Sequence, residues 1–307
     1  MLEVRFLGGL AVATCLVSCA VGAPDESADL QRHTVDVDGH SFAVWEKSPA
    51  NPVGSIILLH GRTWSALPDF DLQVPGEELS LMDGLVERGY ATFAPDMRGY
   101  GETPRDSSGW LTPDRAAKDM IGILEWFATQ ADRSERPVLL GWSNGSTIAH
   151  LAVQRRPDLV SSLMLFGYWR DLSTEMIAPE YPAEPDRRPT TAAAAASDFI
   201  IAGSISQVAI DAYVAAAVAA DPIRTDWKGL EQWNELDASL VTVPTLLLQG
   251  VHDPVAPTNR QATLFANLGT EDREWVVIPG GDHAAFLETP RAYFIDAVVN
   301  FMERPRP

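Results

Sequence analysis

Val138-Leu139-Leu140-Gly141-Trp142-Ser143-Asn144-Gly145-Ser146 is the stretch that decides the fold. Its apolar start reads as a buried strand, and glycines at 141 and 145 bracket a serine just ahead of a helical stretch. This is the G-x-S-x-G pattern, in which the serine sits on a strained strand-to-helix turn. Bulky residues two positions to either side would collide with neighbouring backbone, so glycine is required at both. The turn exposes Oγ and points the amide of the next residue, Asn144, at the place where an oxyanion would form. The pattern alone turns up by chance in many sequences. Its weight comes from its surroundings.

Outward from the turn, strands and helices alternate. Residues 33–38 and 41–46 alternate in polarity about Gly39-His40 and read as an opening hairpin. Residues 55–60 form a short continuous apolar run, the mark of a strand buried on both faces. Residues 82–88 read as an amphipathic helix closed by Gly89, residues 91–96 as a strand, and Pro113-Asp114 opens a helix to about Gln130. Residues 144–155 then read as a helix and 159–167 as a strand. Such alternation predicts an α/β fold with a mostly parallel sheet and helices on both faces. The rhythm breaks over residues 169–240, first Pro- and acid-rich, then Ala-rich. Phe199, Ile200, Ile205, Val208, Tyr213 and Val214 recur there at helical spacings, which predicts two or three packed helices over low complexity. Strand 245–249, helix 259–267, strand 274–278 and a closing helix over 290–303 complete the series. An insertion after the sixth strand has the placement of a cap over an active site. The expected organisation is therefore a core of residues 32–168 and 241–303 with a helical cap of residues 169–240.

Two loops supply what a serine nucleophile needs. Leu248-Gln249-Gly250-Val251-His252-Asp253 places an Asp just past one strand, and Pro279-Gly280-Gly281-Asp282-His283 places a His just past the next. In a parallel sheet both fall on the edge where ligands bind. A serine needs a base for its proton, and the base needs a carboxylate to fix its tautomer. Ser143, Asp253 and His283 stand in the chain order expected of that triad. His252 and Asp282 compete for the adjacent roles, and Asp171 is a further candidate acid. A second oxyanion donor is expected from the amide of Arg62 in His60-Gly61-Arg62-Thr63-Trp64, beside that of Asn144. His60 reads as a structural residue holding this loop. The Arg62 side chain either reaches an acidic substrate or pairs with Asp69 or Asp71. Trp64, Trp142 and Phe286 flank these positions and are expected as pocket walls. The cap aromatics, among them Tyr181, Tyr213 and Trp227, line an apolar pocket or form the cap's own core.

These motifs, together with Asp96-Met97-Arg98-Gly99-Tyr100-Gly101, make the chain similar to the α/β-hydrolase superfamily over about residues 33–303. Within it the chain resembles single-domain esterases, haloperoxidases and C–C hydrolases with a helical cap. It departs from the dehalogenase and epoxide hydrolase branches, which carry Asp where this chain has Ser143. It also lacks the Gly-Gly-Gly extension of HGGG-type lipases. The resemblance implies a serine hydrolase acting on a small ester, with Asp96 and Arg98 bracing the sheet edge. The same triad serves amide, carbon–carbon and peracid chemistry, and a non-catalytic binding protein on this fold is the remaining alternative.

Residues 1–23 read as an export leader: Arg5 precedes an apolar run over 7–23. Leu16-Val17-Ser18-Cys19 resembles a lipobox, with cleavage before Cys19 and lipidation of that residue. A simple secretory cut near Ala23 or a retained anchor are the alternatives, and residues 24–31 read as a tether. The expected location is outside the cytoplasm, membrane-anchored through lipid, otherwise secreted or periplasmic. Both cysteines, Cys15 and Cys19, lie in this leader. The remainder therefore has no disulfide and no thiol nucleophile or ligand, and its scattered histidines indicate neither metal nor organic cofactor. A net charge of −19 disfavours nucleic acid and anionic membranes as partners.

Overall fold

A computed structural model describes residue 1 and residues 29–130 and 135–305. The leader beyond Met1, with Cys15 and Cys19, and tether residues 24–28 lie outside the described residues. Among those described, no helix is long and apolar enough to cross a membrane.

Strands β1 (Gln31–Val37) and β2 (His40–Lys47) form the antiparallel opening hairpin. Its turn is Asp38-Gly39 and not Gly39-His40. Both turn residues take positive φ, 51° and 76°, which Asp and Gly tolerate and which matches the twist of a tight hairpin. There follow β3 (Gly54–Leu59), α1 (Ala66–Phe70), α2 (Leu81–Val86), β4 (Tyr90–Pro95), β5 (Trp110–Leu111) and α3 (Pro113–Ala128). Next come β6 (Val138–Trp142), α4 (Asn144–Arg155), β7 (Ser162–Phe166), α5 (Ala192–Ala196), α6 (Gln207–Ala220) and β8 (Asp226–Trp227). The chain closes with β9 (Thr245–Gly250), α7 (Thr258–Asn267), β10 (Arg273–Ile278) and α8 (Arg291–Glu303).

Eight strands make one sheet in the order β1-β2-β4-β3-β6-β7-β9-β10, and β5 pairs with β8 in a small ribbon. Within the large sheet β2 runs antiparallel to its neighbours, and every pairing from β4 to β10 is parallel. The apolar runs read as doubly buried strands do serve two faces. Ile57, Leu59 and Leu139 join Ile148 and Phe127 on one side, while Ile56, Leu58 and Leu140 join Phe294 and Val298 on the other. That is the period-two division of a pleated strand. The strand expected over 159–167 is shorter: Pro157–Leu159 is a 3₁₀ turn, where the proline forbids a ladder donor.

The excursion between β7 and β9 is less helical than its composition suggests. Residues 169–191 hold no α-helix, because prolines at 179, 182, 185 and 189 break any helical ladder there. The Ala-rich part does fold, with α5 and α6 capped by the hydroxyls of Thr191 and Ser206. Ala209, Tyr213 and Ala217, four residues apart, are the buried stripe of α6. Two 3₁₀ turns, Leu230–Glu235 and Ala238–Leu240, lead into β9.

Candidate active site

Ser143 stands between β6 and α4 with φ 54° and ψ −118°, a strained conformation that non-glycine residues hold only when their surroundings enforce it. The enforcement is visible. A Cβ on Gly145 would fall 2.2 Å from the Leu59 carbonyl oxygen, and one on Gly141 would fall 2.4 Å from that of Gly145. Both glycines are thus dictated by backbone approach. Ser143 N–H donates to the Phe166 carbonyl at 2.8 Å, while the Ser143 carbonyl accepts from Ser146 N at 3.0 Å and Ser146 Oγ at 2.5 Å. With its neighbours so tied, the Asn144 amide is left as an orphan donor of the first helical turn.

His283 and Asp253 come together. Asp253 Oδ2 meets His283 Nδ1 at 2.8 Å, with the Asp side chain fully buried. Its other oxygen accepts from the amides of Val255 at 2.8 Å and Ala256 at 3.2 Å. With Oδ1 taken by these amides, Oδ2 is the oxygen left to accept from Nδ1–H, the arrangement that leaves Nε2 as the acceptor of the ring. The competing assignments fail on geometry. Asp282 spends one oxygen on the amides of Ile200 and Ile201, at 2.9 and 3.0 Å, and the other on Ala284 N. His252 is exposed, and Asp171 bonds Ser173 and lies 3.8 Å from Arg260.

The loop bearing His283 is fastened to the serine turn, since Trp142 Nε1 donates to the His283 carbonyl at 2.6 Å. Among the described residues no hydrogen bond engages Ser143 Oγ. Such contacts are often long until substrate is bound.

His60 explains how the second expected donor is aimed. The buried ring packs 4.8 Å from Tyr100, and burial lowers its pKa to about 4, so it is neutral. Nε2 accepts from Met97 N at 3.0 Å, so the Nδ1 proton goes to the Gly61 carbonyl at 2.8 Å. Peptide planarity then directs the Arg62 N–H, on the same peptide unit, the opposite way. Gly61 lies against the serine, for a Cβ there would come 3.2 Å from Ser143 Cβ. Among the described residues neither Arg62 N–H nor Asn144 N–H has a protein acceptor.

The expected pocket walls are placed differently. Trp142 and Phe286 stack edge to face at 4.9 Å inside the buried core cluster, and Trp64 is 2% exposed. All three are buried in the core cluster, where the apolar area they bury favours folding. Trp64 Nε1 instead donates to Asp198 of the excursion at 2.9 Å. The Arg62 guanidinium pairs with neither Asp69 nor Asp71. Those acids are taken, Asp69 by Tyr213 Oη at 2.9 Å, and Asp71 by Lys47 Nζ and Ser80 Oγ at 2.6 Å each. Arg62 lies over the Trp227 ring, 6.0 Å from its centroid.

The acids around Tyr213 were invisible in the sequence. Tyr213 Oη also lies 3.3 Å from Asp198. Burial, with the neighbouring Asp198 charge, raises Asp69 well above the usual carboxylate range, and burial pushes Asp198 up to about 6. Only the segregation of Tyr213 on the buried stripe of α6 hints at this cluster. Gly167 was missed as well. Its φ is 62°, and a Cβ there would sit 2.7 Å from His283 Cε1.

The family model described as serine aminopeptidase, S33, matches residues 50–290. An epoxide hydrolase of Caballeronia sordidicola is 39% identical over 136 residues, 44% of this chain and 36% of that protein. The serine hydrolase BPHL of Mus musculus is 26% identical over 66% of this chain and 64% of its own. A pimeloyl-[acyl-carrier protein] methyl ester esterase of Neisseria meningitidis is 30% identical over 45% of this chain and 46% of its own. The chain thus spans between about a third and two thirds of these curated relatives. Among solved structures, the serine hydrolase CarC of carbazole degradation superposes with TM-score 0.63 at 20% identity, over 89% of this chain and 99% of its own. Epoxide hydrolase VrEH1 of Vigna radiata gives 0.62 at 17% identity, over 92% and 99%. These structural likenesses speak to fold. With the family model covering most of the described residues, the chain is a hydrolase that belongs to the serine aminopeptidase S33 family of the α/β-hydrolase superfamily.

Proposed function

We propose that the chain is a carboxylic ester hydrolase working through an acyl-enzyme on Ser143. The observation that carries this reading is the 2.8 Å bond between His283 Nδ1 and Asp253 Oδ2, on a loop tied to the serine turn. In the proposed cycle Ser143 Oγ adds to the ester carbonyl while His283 Nε2 takes its proton. Asp253 stays ionised and stabilises the imidazolium. The amides of Arg62 and Asn144 receive the charge that develops on the carbonyl oxygen; one such donor is typically worth about 3–4 kcal/mol. Collapse expels the alcohol, which leaves with the proton from His283. Water, giving its proton to His283, then adds to the acyl carbonyl, and collapse releases the acid and restores Ser143. Ser143 stands where the epoxide hydrolase branch carries Asp, which favours acyl transfer over epoxide opening.

The description of the family as serine aminopeptidases supports a second reading, cleavage of an aminoacyl amide by the same steps. A panel of p-nitrophenyl esters of graded length against aminoacyl anilides decides between them. The ester reading predicts kcat/KM at least a hundredfold higher on the best ester than on any anilide. The opposite ranking selects the amide reading, and equal turnover by Ser143→Ala sinks both.

A further inference from the structure

A recess of about 220 Å³ is lined by Arg62, Arg188 and Arg224, by Trp110, Tyr181 and Trp227, and by Asp186 and Asp226. The two carboxylates are already committed. Asp186 pairs with Arg188 at 2.7 Å, and Asp226 lies 3.7 Å from Arg105 and accepts from Arg187 N at 3.1 Å. Arg62 and Arg224 have no carboxylate partner among the described residues. Burial of the guanidinium, and then the like charge of Arg224, lower Arg62 from its ordinary value, while Tyr100 and Asp226 oppose them. Tyr181 supplies a third donor. Its Oη accepts from Leu230 N at 2.9 Å, and its own proton meets no acceptor among the described residues.

Two unpaired guanidiniums and a hydroxyl donor between aromatic walls, on a surface of net charge −19, make a site for an anion with an apolar stem. Its position gives it a role. Arg62 follows Gly61, whose missing Cβ would lie 3.2 Å from Ser143 Cβ, so the residue that lines this recess with its side chain is next in sequence to one packed against the serine. We infer that the substrate is a carboxylate-bearing ester whose acid group, a side chain's length from the scissile carbonyl, seats between Arg62 and Arg224. A planar carboxylate matches the bidentate fork of a guanidinium, and a phosphate-terminated ester tests the choice. This inference rests on Ser143 marking the scissile position, the reading proposed above.

Binding without turnover tests it separately from catalysis. Ser143→Ala protein is titrated, by calorimetry and by quenching of tryptophan fluorescence, with monomethyl esters of straight-chain dicarboxylic acids of increasing length. The matched neutral dimethyl esters and a phosphate-terminated methyl ester are the other arms. The expected result is at least tenfold tighter binding of one monoanion than of its neutral partner, weakened by added salt. The phosphate arm binds more weakly than the carboxylate. Adding Arg224→Gln abolishes the preference, and Arg224→Lys, which keeps the charge and loses the fork, retains part of it. Arg224 has an exposed side chain, so both variants fold. Neutral esters binding as tightly as anions, or a preference untouched by Arg224→Gln, overturns the inference. Selective binding by a protein whose native form hydrolyses no ester would instead fault the proposed function alone.

Discussion

Gly167 leaves room for the His283 ring: a Cβ built on it would stand 2.7 Å from Cε1 and 2.9 Å from Nδ1 of His283. The end of β7 therefore abuts the imidazole, and the left-handed φ of 62° adds a backbone cost to any side chain placed there. Gly167→Ala is expected to cost about 1–2 kcal/mol in stability and to lower kcat by at least a hundredfold through displacement of the ring. A folded Gly167→Ala protein with native kcat would show that the ring position does not matter.

His60 acts through a peptide plane, as a positioning residue. His60→Phe keeps an aromatic ring against Tyr100 but leaves the Gly61 carbonyl and the Met97 amide unpaired. The expected signature is a fall in kcat of about 10²–10³, the typical cost of one oxyanion donor, with KM nearly unchanged. Circular dichroism and steady-state kinetics check it. A raised KM with unchanged kcat would assign His60 to substrate binding instead.

Arg98 and Asp119 are both buried and joined by two bonds, at 2.8 and 2.7 Å. The pair braces the loop after β4 against α3 and touches no proposed site residue. Asp119→Ala should destabilise by about 3 kcal/mol, the low end for breaking a buried pair, because the guanidinium keeps only Asp106, 3.6 Å away; urea unfolding reads it. The kcat/KM of the folded fraction should stay within a factor of three. A selective loss of activity at unchanged stability would move the pair into the site.

Stability should fall as pH rises from about 6.5 to 8. Burial raises Asp96 and Asp198 to about 6 and Glu288 to about 8. The folded chain therefore holds protons that the unfolded chain has released above its ordinary carboxylate range, and stability declines until each folded value is passed. Asp83, Asp106 and Asp114 are lowered by hydrogen bonds and neighbouring cations, so their contribution disappears only in stronger acid. Burial lowers His60 and His150 to about 4, so they add stability as pH rises to about 6.5 and oppose the carboxylates below that point. The maximum should lie near pH 6–7, with Tm lower at pH 8. Glu288→Gln keeps an acceptor for Ser204 Oγ, bonded at 2.6 Å, and a donor toward Asp282. It should flatten the upper part of the decline. A Tm that rises from pH 7 to 8 contradicts the argument.

The parts of this molecule legible in its sequence are those dictated by backbone geometry. Gly141 and Gly145 are required by carbonyls within 2.4 Å of where a Cβ would lie, so their spacing around Ser143 survives as a pattern. Asp253 and His283 are legible because strand ends are, and the parallel order places both on one edge. Contacts between distant polar groups leave no such mark. Tyr213 reaches Asp69 across 144 residues and Trp64 reaches Asp198 across 134, and nothing local announces either. Trp142 and Phe286 show the same limit, since an aromatic beside a serine reads alike in sequence whether it faces solvent or, as here, is buried in the core. The fate of Arg62 was hidden too, because the acids nearest in sequence were already held by Tyr213, Lys47 and Ser80.

The central claim is that Ser143 is a nucleophile driven by the His283–Asp253 pair. A fluorophosphonate probe followed by peptide mass spectrometry measures this most directly. The account predicts one stoichiometric adduct on Ser143, absent in Ser143→Ala and formed at least a hundredfold more slowly in His283→Ala. An unlabelled Ser143 in folded protein, or labelling as fast without His283, would contradict it.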